Sequence, residues 1–182
     1  MITPSEFMAQ WGDDDLIRNT SAALMGVQIP QESKRFLVEA GLPAHADFGL
    51  QFERFTDEMP TLPEAFPNGY AFPPAYHSYR PIGVDYATIL CLSEQDGGRI
   101  YSIDIDGHLP TRLVNSGVPH LAEFLLAFRR DAVWAQAARP TEEELMASTH
   151  KLRDELRQRD PEAMQNEQSY WPQVVLGMLY GG

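Results

Sequence analysis

Residues 85–107 read "DYATILCLSEQDGGRIYSIDIDG", and this stretch decides the fold class. Residues 85–93 contain the run "YATILCL" (86–92), which is apolar almost throughout and predicts a central strand that is buried on both faces. Asp-Gly pairs at 96–97 and 106–107 are hairpin signals, and a stretch rich in Ile and Tyr at 99–106 lies between them. The segment therefore predicts an antiparallel meander.

Helical patterns lie on both sides of this segment. Upstream, residues 30–43 ("PQESKRFLVEAGLP") predict a helix that ends at Gly41, because glycine adopts the left-handed conformation and the following proline cannot continue a helix. Residues 48–55 then alternate apolar with smaller or polar side chains, which predicts a strand with one buried face. Downstream, 111–116 predict the last strand and 117–136 predict a helix. The apolar stripe of that helix consists of Leu121, Phe124, Leu125, Phe128 and Val133.

Two further helices follow. Residues 140–159 open with Thr141 and Glu144, which form a capping-box pattern, and acids crowd the start of this helix while bases crowd its end. Residues 169–182 predict a short apolar helix that docks back on the body. The whole chain predicts an α+β fold: a central, mostly antiparallel sheet flanked by helices, with C-terminal helices packed on the body.

Length and composition indicate one domain. The chain has 182 residues, of which 43% are hydrophobic, and this is enough apolar material for a sizeable core. No internal repeat is visible. We expect a single domain over 1–182, with a core at about 30–136 and a C-terminal helical extension at 137–182.

Residues 56–78 contain five prolines and four aromatic residues. Proline removes a backbone donor, so this segment is neither a central strand nor a continuous helix. We expect a long ordered loop whose aromatic side chains hold it against the body, as a cover over one edge or face of the sheet. Loops of this length in compact domains are often functional, so a binding role for these aromatics is the alternative.

The chain is strongly acidic. Its formal net charge is −12, from 14 Lys and Arg against 26 Asp and Glu. Nucleic-acid binding needs clustered cations, so direct binding to DNA or RNA is disfavoured. An acidic surface instead speeds association with a basic protein partner, although it also simply keeps a protein soluble.

Cysteine use and hydropathy suggest the compartment. The one cysteine, Cys91, cannot form an internal disulfide and excludes a multi-cysteine metal site, so we expect a reducing cytoplasm. The first residues lack the basic segment and apolar run of a signal peptide. The apolar run at 174–180 is far shorter than the roughly 20 residues of a membrane span, so we expect no membrane partner.

Asp104 and Asp106 raise the question of a metal or acid–base site. If Ser102 is the first position of an EF-hand loop, Leu113 stands at the twelfth, where a bidentate Glu is required. The five histidines share no ligand spacing, and the sequence has neither a nucleophile elbow nor a phosphate loop. We therefore expect no enzyme activity, no metal ion and no cofactor.

Strand geometry gives these carboxylates a different role. Residues two apart on a strand point the same way, so Ser102, Asp104 and Asp106 share one face. The opposite face holds Tyr101 and isoleucines, and we expect it to be the core face. The three polar residues are then expected to face solvent or a partner.

Several segments together resemble the SUKH superfamily, most closely its fourth branch of bacterial immunity proteins. They are a helix that ends in Gly-Leu-Pro (36–43, "FLVEAGLP"), the meander segment "GRIYSIDIDG" (98–107), a Val-Asn-Ser run that opens an apolar helix (113–128, "LVNSGVPHLAEFLLAF") and the C-terminal "YWPQVVLGML" (170–179). The likeness covers roughly residues 30–135 well and the ends more loosely. The order and spacing of the motifs carry the resemblance, since each motif alone is weak.

The resemblance implies an α+β fold and a non-enzymatic bacterial protein that occludes a cognate polymorphic toxin, often a nuclease or other nucleic-acid-directed enzyme. We expect the toxin domain to be basic and this chain to act as a monomer or weak homodimer. The alternatives are a regulatory or scaffold protein that binds a house-keeping partner, or a small hydrolase or metal-dependent enzyme. The expected partner-binding residues, on the sheet, its turns and the aromatic loop, are Glu94, Asp96, Ser102, Asp104, Asp106, Phe66, Tyr70, Phe72 and Tyr76.

Overall fold

The computed structural model describes residues 1–67 and 72–180. The described residues form six α-helices, which are α1 Pro4–Trp11, α2 Gln31–Glu39, α3 Leu62–Ala65, α4 Val118–Ala138, α5 Glu142–Arg159 and α6 Tyr170–Tyr180. They also form seven strands, which are β1 Leu16–Ile17, β2 Leu42–Pro43, β3 Gln51–Phe52, β4 Tyr79–Val84, β5 Ile89–Ser93, β6 Arg99–Ile103 and β7 Arg112–Asn115. This combination confirms the predicted α+β class.

Five strands, β3 to β7, form one antiparallel meander in which each strand pairs with the next along the chain. The predicted strands at 85–93, 99–106 and 111–116 are confirmed, and each is shorter than expected. Strand β4, which no sequence pattern indicated, lies between β3 and the central strand β5. A second, two-stranded sheet pairs β1 with β2.

The predicted strand at 48–55 is reduced to β3, which has two residues. A 3₁₀ turn at Asp47–Gly49 replaces its first part, and Phe48 there has a φ of 61°. A positive φ is incompatible with an extended strand, so the apolar alternation around Phe48 does not reflect a β-strand. Leu50 and Phe52 are nevertheless buried, as the alternation suggested.

Both faces of the meander are covered. On its inner face, Leu90 and Leu92 of β5 join the main core, which also contains side chains of α1, α2 and α4. On its outer face, Ile89 and Cys91 form a second, smaller cluster with Leu62 of α3. Because adjacent residues of a strand point to opposite faces, the central strand is buried on both faces, as predicted.

The helices end largely where the sequence indicated. Helix α2 stops before Gly41, which has a φ of 75°. Helix α4 buries the predicted stripe as far as Phe128. The expectation for Val133 is wrong, since this side chain is 58% exposed. The reason is that the last turns of α4, from 133 onward, lie mostly in solvent, so helical periodicity continues past the point where the core ends.

Helix α6 docks back on the body, as predicted. Trp171 is buried, and its ring centroid lies 5.0 Å from that of Phe128 and 5.4 Å from that of Phe124. Helix α5 begins with the expected capping box of Thr141 and Glu144. Within the described residues, no helix combines the length and the apolar character needed to cross a membrane.

Candidate functional site

Four aromatic rings form a continuous row over the outer face of the meander. Their centroids are 6.0 Å apart for Phe72 and Tyr76, 5.7 Å for Tyr76 and Tyr79, and 5.8 Å for Tyr79 and Tyr101. Each pair meets edge to face, which is a geometry that the charge distribution of aromatic rings favours. All four side chains are partly exposed, and we call this row the aromatic ladder.

The aromatic ladder has two sources in the sequence. Tyr79 begins β4 and Tyr101 lies in the middle of β6, and strand alternation turns both rings to the outer face. Phe72 and Tyr76 come from the proline-rich loop, where a 3₁₀ turn at Pro74–Ser78 carries Tyr76 back over the sheet. The loop and the sheet therefore build this surface together.

Helix α3 fastens the loop to the sheet beside the ladder. Leu62 is fully buried in the outer cluster, and Phe66 packs against the same cluster. Glu64 Oε2 accepts hydrogen bonds from Thr61 N and Thr61 Oγ1, both at 2.8 Å. These bonds hold the pKa of Glu64 below its ordinary value and cap the helix. The expectation that the loop aromatics hold the loop against the body is confirmed for Phe66, Phe72 and Tyr76.

The β5–β6 turn places a carboxylate at one end of β6. The hydroxyl of Tyr101 donates to Asp96 Oδ2, and Arg99 Nη1 lies 3.9 Å from the same oxygen. Arg99 Nη2 also lies 2.8 Å from Glu162 Oε2. Partial burial, together with the hydrogen bond to Asp96, raises the pKa of Tyr101 to about 12. Tyr101 therefore stays neutral at ordinary pH, while Asp96 remains exposed.

Glu94 has a structural role inside this turn region. Its side chain is only 13% exposed and pairs with Arg80, whose Nε lies 3.1 Å from Glu94 Oε2. Glu94 Oε1 accepts a 2.6 Å hydrogen bond from the backbone N–H of Gln28. Arg80 in turn donates to the backbone carbonyl of Met59 at 2.7 Å. Glu94 is expected on the polar side of the sheet as a partner-binding residue, but its carboxylate is mostly enclosed and ties three segments together.

The β6–β7 turn separates the roles of the two aspartates. Asp104 accepts hydrogen bonds from the backbone N–H groups of Asp106, His108 and Leu109 at 2.8–2.9 Å. Desolvation pushes the pKa of Asp104 upward, but the three donors together hold it below its ordinary value. Asp104 therefore forms the turn, and Asp106 is the exposed carboxylate.

The expectation that Ser102 faces solvent or a partner is wrong. Its side chain is 3% exposed, and its Oγ lies 2.6 Å from Thr88 Oγ1. Alternation correctly places Ser102 on the opposite face of the sheet from Tyr101 and Ile103. However, the helices cover one face and the loop covers the other, so the face of Ser102 is not open to solvent. Strand β6 also ends at Ile103, so the period of two does not extend to the aspartates beyond it.

The structure brings together four of the expected residues, Phe66, Phe72, Tyr76 and Asp96, around one surface. Tyr70 lies outside the described residues. Sequence reasoning assigned Tyr101 to the core and did not single out Tyr79, although both complete the ladder. The sequence signal for both residues is a tyrosine in a strand close to a long loop that is rich in aromatic residues.

The described part of the chain contains no group of three or more His, Cys, Asp or Glu that could hold a metal ion. Cys91 is fully buried, and desolvation raises the pKa of its thiol far above the ordinary value. Its sulfur is therefore protonated and inaccessible at ordinary pH, so Cys91 packs as a small apolar residue.

Comparison with known proteins gives one match. The family model described as SUKH-4 immunity protein matches residues 2–177, nearly the whole chain. No curated protein and no solved structure matches.

Proposed function

Because the chain belongs to the SUKH-4 immunity protein family, we propose that it binds a cognate bacterial toxin and neutralises it by covering the toxin's active site. The proposed toxin is a nuclease or another enzyme that acts on nucleic acid, and the two proteins meet in the cytoplasm. The proposed contact surface is the aromatic ladder, with Asp96 at one end of β6 and Asp106 beyond the other.

The aromatic ladder is the observation that carries this proposal. Its four rings are partly exposed, yet each is held by ring contacts to its neighbours. Tyrosine is enriched among the residues that dominate binding energy at protein interfaces. Rings that are already ordered lose little conformational freedom on binding, so more of the contact energy remains as affinity.

The charge of the chain supports a basic partner. An enzyme that acts on nucleic acid presents cations to phosphates, and a chain with a net charge of −12 attracts such a surface over a long range. Asp96 supplies a carboxylate that contacts the ladder at Tyr101, and Asp106 supplies an exposed carboxylate in the turn that follows β6. Complementary charges of this kind mainly raise the association rate, whereas aromatic anchors mainly slow dissociation.

Co-expression with the adjacent candidate toxin gene tests the function. The proposal expects that the intact chain restores growth and forms a one-to-one complex with the toxin. A chain that neither protects the cell nor forms a complex contradicts the proposal.

Binding kinetics of three variants then test the surface. Tyr76→Ala should raise the dissociation rate at least about tenfold, because it removes the middle of the ladder. Asp106→Asn should lower the association rate at low salt, and the effect should fade at high salt. Glu58→Gln, which removes an exposed carboxylate that forms no described hydrogen bond or ion pair, is the charge-matched control. Equal effects of Asp106→Asn and Glu58→Gln would place the contact surface elsewhere.

A further inference from the structure

An open groove of about 610 Å³ lies at the edge of the meander, between the β4–β5 turn, the edge strand β7 and helix α6. It shares no residue with the aromatic ladder. Its walls include Phe48, Tyr86, Arg112, Val174, Gly177 and Met178. Three features of these walls are unexplained by the packing of the chain itself.

The first feature is an unpaired cation. Arg112 Nε is buried and has no hydrogen-bond partner, and its guanidinium forms no described ion pair. A buried N–H without a partner is unfavourable, and it is unexpected in a chain with 26 acidic residues against 14 basic ones.

The one acid on the groove wall, Asp85, is already engaged. Its Oδ1 accepts from the backbone N–H groups of Ala87 at 2.9 Å and Thr88 at 2.7 Å. Its Oδ2 accepts a 2.9 Å hydrogen bond from the hydroxyl of Tyr170. Asp85 therefore shapes the turn and holds α6, and it leaves Arg112 without a counter-charge.

The second feature is Tyr86, which is 88% exposed at the tip of the β4–β5 turn. Its ring lies against the backbone of Gly49, where an added β-carbon would come within 2.3 Å of Tyr86 Cζ. The ring can occupy this position only because residue 49 is a glycine and has no β-carbon. A large aromatic side chain is held at the rim of the groove with almost all of its surface in solvent.

The third feature is Gly177, which stands within α6. Glycine disfavours a helix interior compared with alanine, so its presence usually has a packing reason. Apart from its chain neighbours and the nearby backbone of α6, no atom lies within 4 Å of the position that its β-carbon would occupy, so the rest of the chain provides no packing reason. Between Val174 and Met178, Gly177 leaves the helix backbone open to the groove.

We infer that the groove binds a peptide segment of a partner protein that combines an apolar side chain with an adjacent carboxylate. The apolar side chain lies against Val174, Gly177 and Met178, under the rim formed by Tyr86. The carboxylate accepts hydrogen bonds from Arg112, because a guanidinium pairs best with a planar anion. The inference does not depend on the proposed toxin, whose contact surface lies on the outer face of the meander.

The test uses two short peptides on the isotopically labelled, full-length chain. The probes are acetyl-Phe-Glu-amide and acetyl-Phe-Gln-amide, which differ only in the charge of the second side chain. In two-dimensional NMR spectra, the Glu peptide should shift the Arg112 Nε–H signal and the backbone amides of residues 86 and 174–178. The Gln peptide should bind at least about tenfold more weakly, because it lacks the ionised acceptor.

Three variants complete the design. Arg112→Gln should remove the preference for the Glu peptide. Gly177→Leu should abolish binding of both peptides, since its side chain occupies the space against α6 where the apolar side chain of the peptide lies. The variant should fold because that space is open and leucine favours a helix. Arg157→Gln removes an exposed arginine outside the groove and should change nothing.

Several results would overturn the inference. They are equal affinity for the two peptides, binding that survives Gly177→Leu, and the absence of any shift at about 10 mM peptide. If Arg112→Gln does not fold, the comparison of the two peptides on the unaltered chain and on Gly177→Leu decides the question alone.

Discussion

The indole N–H of Trp171 donates a 3.0 Å hydrogen bond to Asn115 Oδ1, and so joins α6 to the end of β7. Asn115 Nδ2 in turn donates to Asp160 Oδ2 at 3.2 Å. Asp160 also accepts from the backbone N–H and the hydroxyl of Ser116, both at 2.8 Å. The last strand, the end of α5 and α6 therefore meet at one buried polar junction. We propose on this basis that the core at 30–136 and the extension at 137–182 form a single domain.

Trp171→Phe tests this junction. The substitution leaves Asn115 Oδ1 buried without its donor, which costs about 1–3 kcal/mol, in addition to lost ring contacts. We expect the free energy of unfolding in urea to fall by at least about 2 kcal/mol while unfolding remains a single transition. The matched control is Trp134→Phe on α4, where the side chain is 37% exposed and should contribute less than about 1 kcal/mol.

Two outcomes would contradict the single-domain proposal. One is an unfolding curve in which far-ultraviolet circular dichroism and tryptophan fluorescence report different midpoints. The other is a Trp171→Phe variant that melts its C-terminal helices while the meander stays folded.

The turns and helix ends that could be predicted from the sequence depend on residues close together in the chain. The Asp-Gly turn signals at 96–97 and 106–107 and the helix end at Gly41 act through backbone conformation within a few residues, and each appears where expected. Strand β4 escapes such reasoning, because Pro81 and Gly83 are poor strand residues and flank a break in its pairing with β5. Only pairing with its neighbours makes this segment a strand.

The candidate site also depends on contacts between distant segments, which local sequence patterns do not reveal. Alternation correctly places Ser102 and Tyr101 on opposite faces of the sheet, but it does not show which helix or loop covers each face. The proline-rich loop contains residues that pack on the outer face, and no local pattern shows that this loop returns over β6. The low exposure of Glu94 has a related cause, since its partner Arg80 lies on strand β4, which no sequence pattern indicated.

Substitutions at Ser102 test its burial directly. Ser102→Ala leaves the hydroxyl of Thr88 without its 2.6 Å partner and should destabilise the chain by about 1–2 kcal/mol. Ser102→Asp places an unpaired charge in the core and should cost about 3–5 kcal/mol or prevent folding. Asp106→Ser, in the exposed turn, should change stability by less than about 0.5 kcal/mol. Equal thermal midpoints for Ser102→Asp and Asp106→Ser would show that Ser102 faces solvent.

Among the glycines that the structure describes, Gly41 is the one whose replacement should be most costly. Its φ is 75°, and an added β-carbon would lie 2.0 Å from the carbonyl oxygen of Ile17, so β1 would have to move. We expect Gly41→Ala to lower the free energy of unfolding by about 3 kcal/mol or more. Gly97→Ala shares the positive φ but has open space around the new carbon, and it should cost only about 1–2 kcal/mol. Denaturant unfolding of the two variants separates steric clash from backbone strain, and similar losses would rule out the clash.

The ion pairs that Glu155 of α5 forms with Arg130 of α4 and with Arg159 should make the free energy of unfolding depend on pH in the acid range. Arg130 donates to both oxygens of Glu155 at 3.1 Å and 2.6 Å, and Arg159 adds a bond at 2.9 Å. The hydrogen bond from Arg130, followed by the attraction of Arg130 and Arg159, holds the pKa of Glu155 below the ordinary 4.5.

A carboxyl group whose pKa is lowered by folding contributes stability above the unfolded pKa and loses it as the pH falls through the folded value. Glu155→Gln should therefore be less stable than the unaltered chain by about 0.5–1 kcal/mol at pH 7, because the pair is partly exposed. This difference should shrink once the pH falls below about 4.5. Urea unfolding measured at intervals between pH 7 and pH 3 checks the trend, with Glu58→Gln as the exposed control. A difference that stays constant across this range would mean that packing, rather than charge, holds the two helices together at this point.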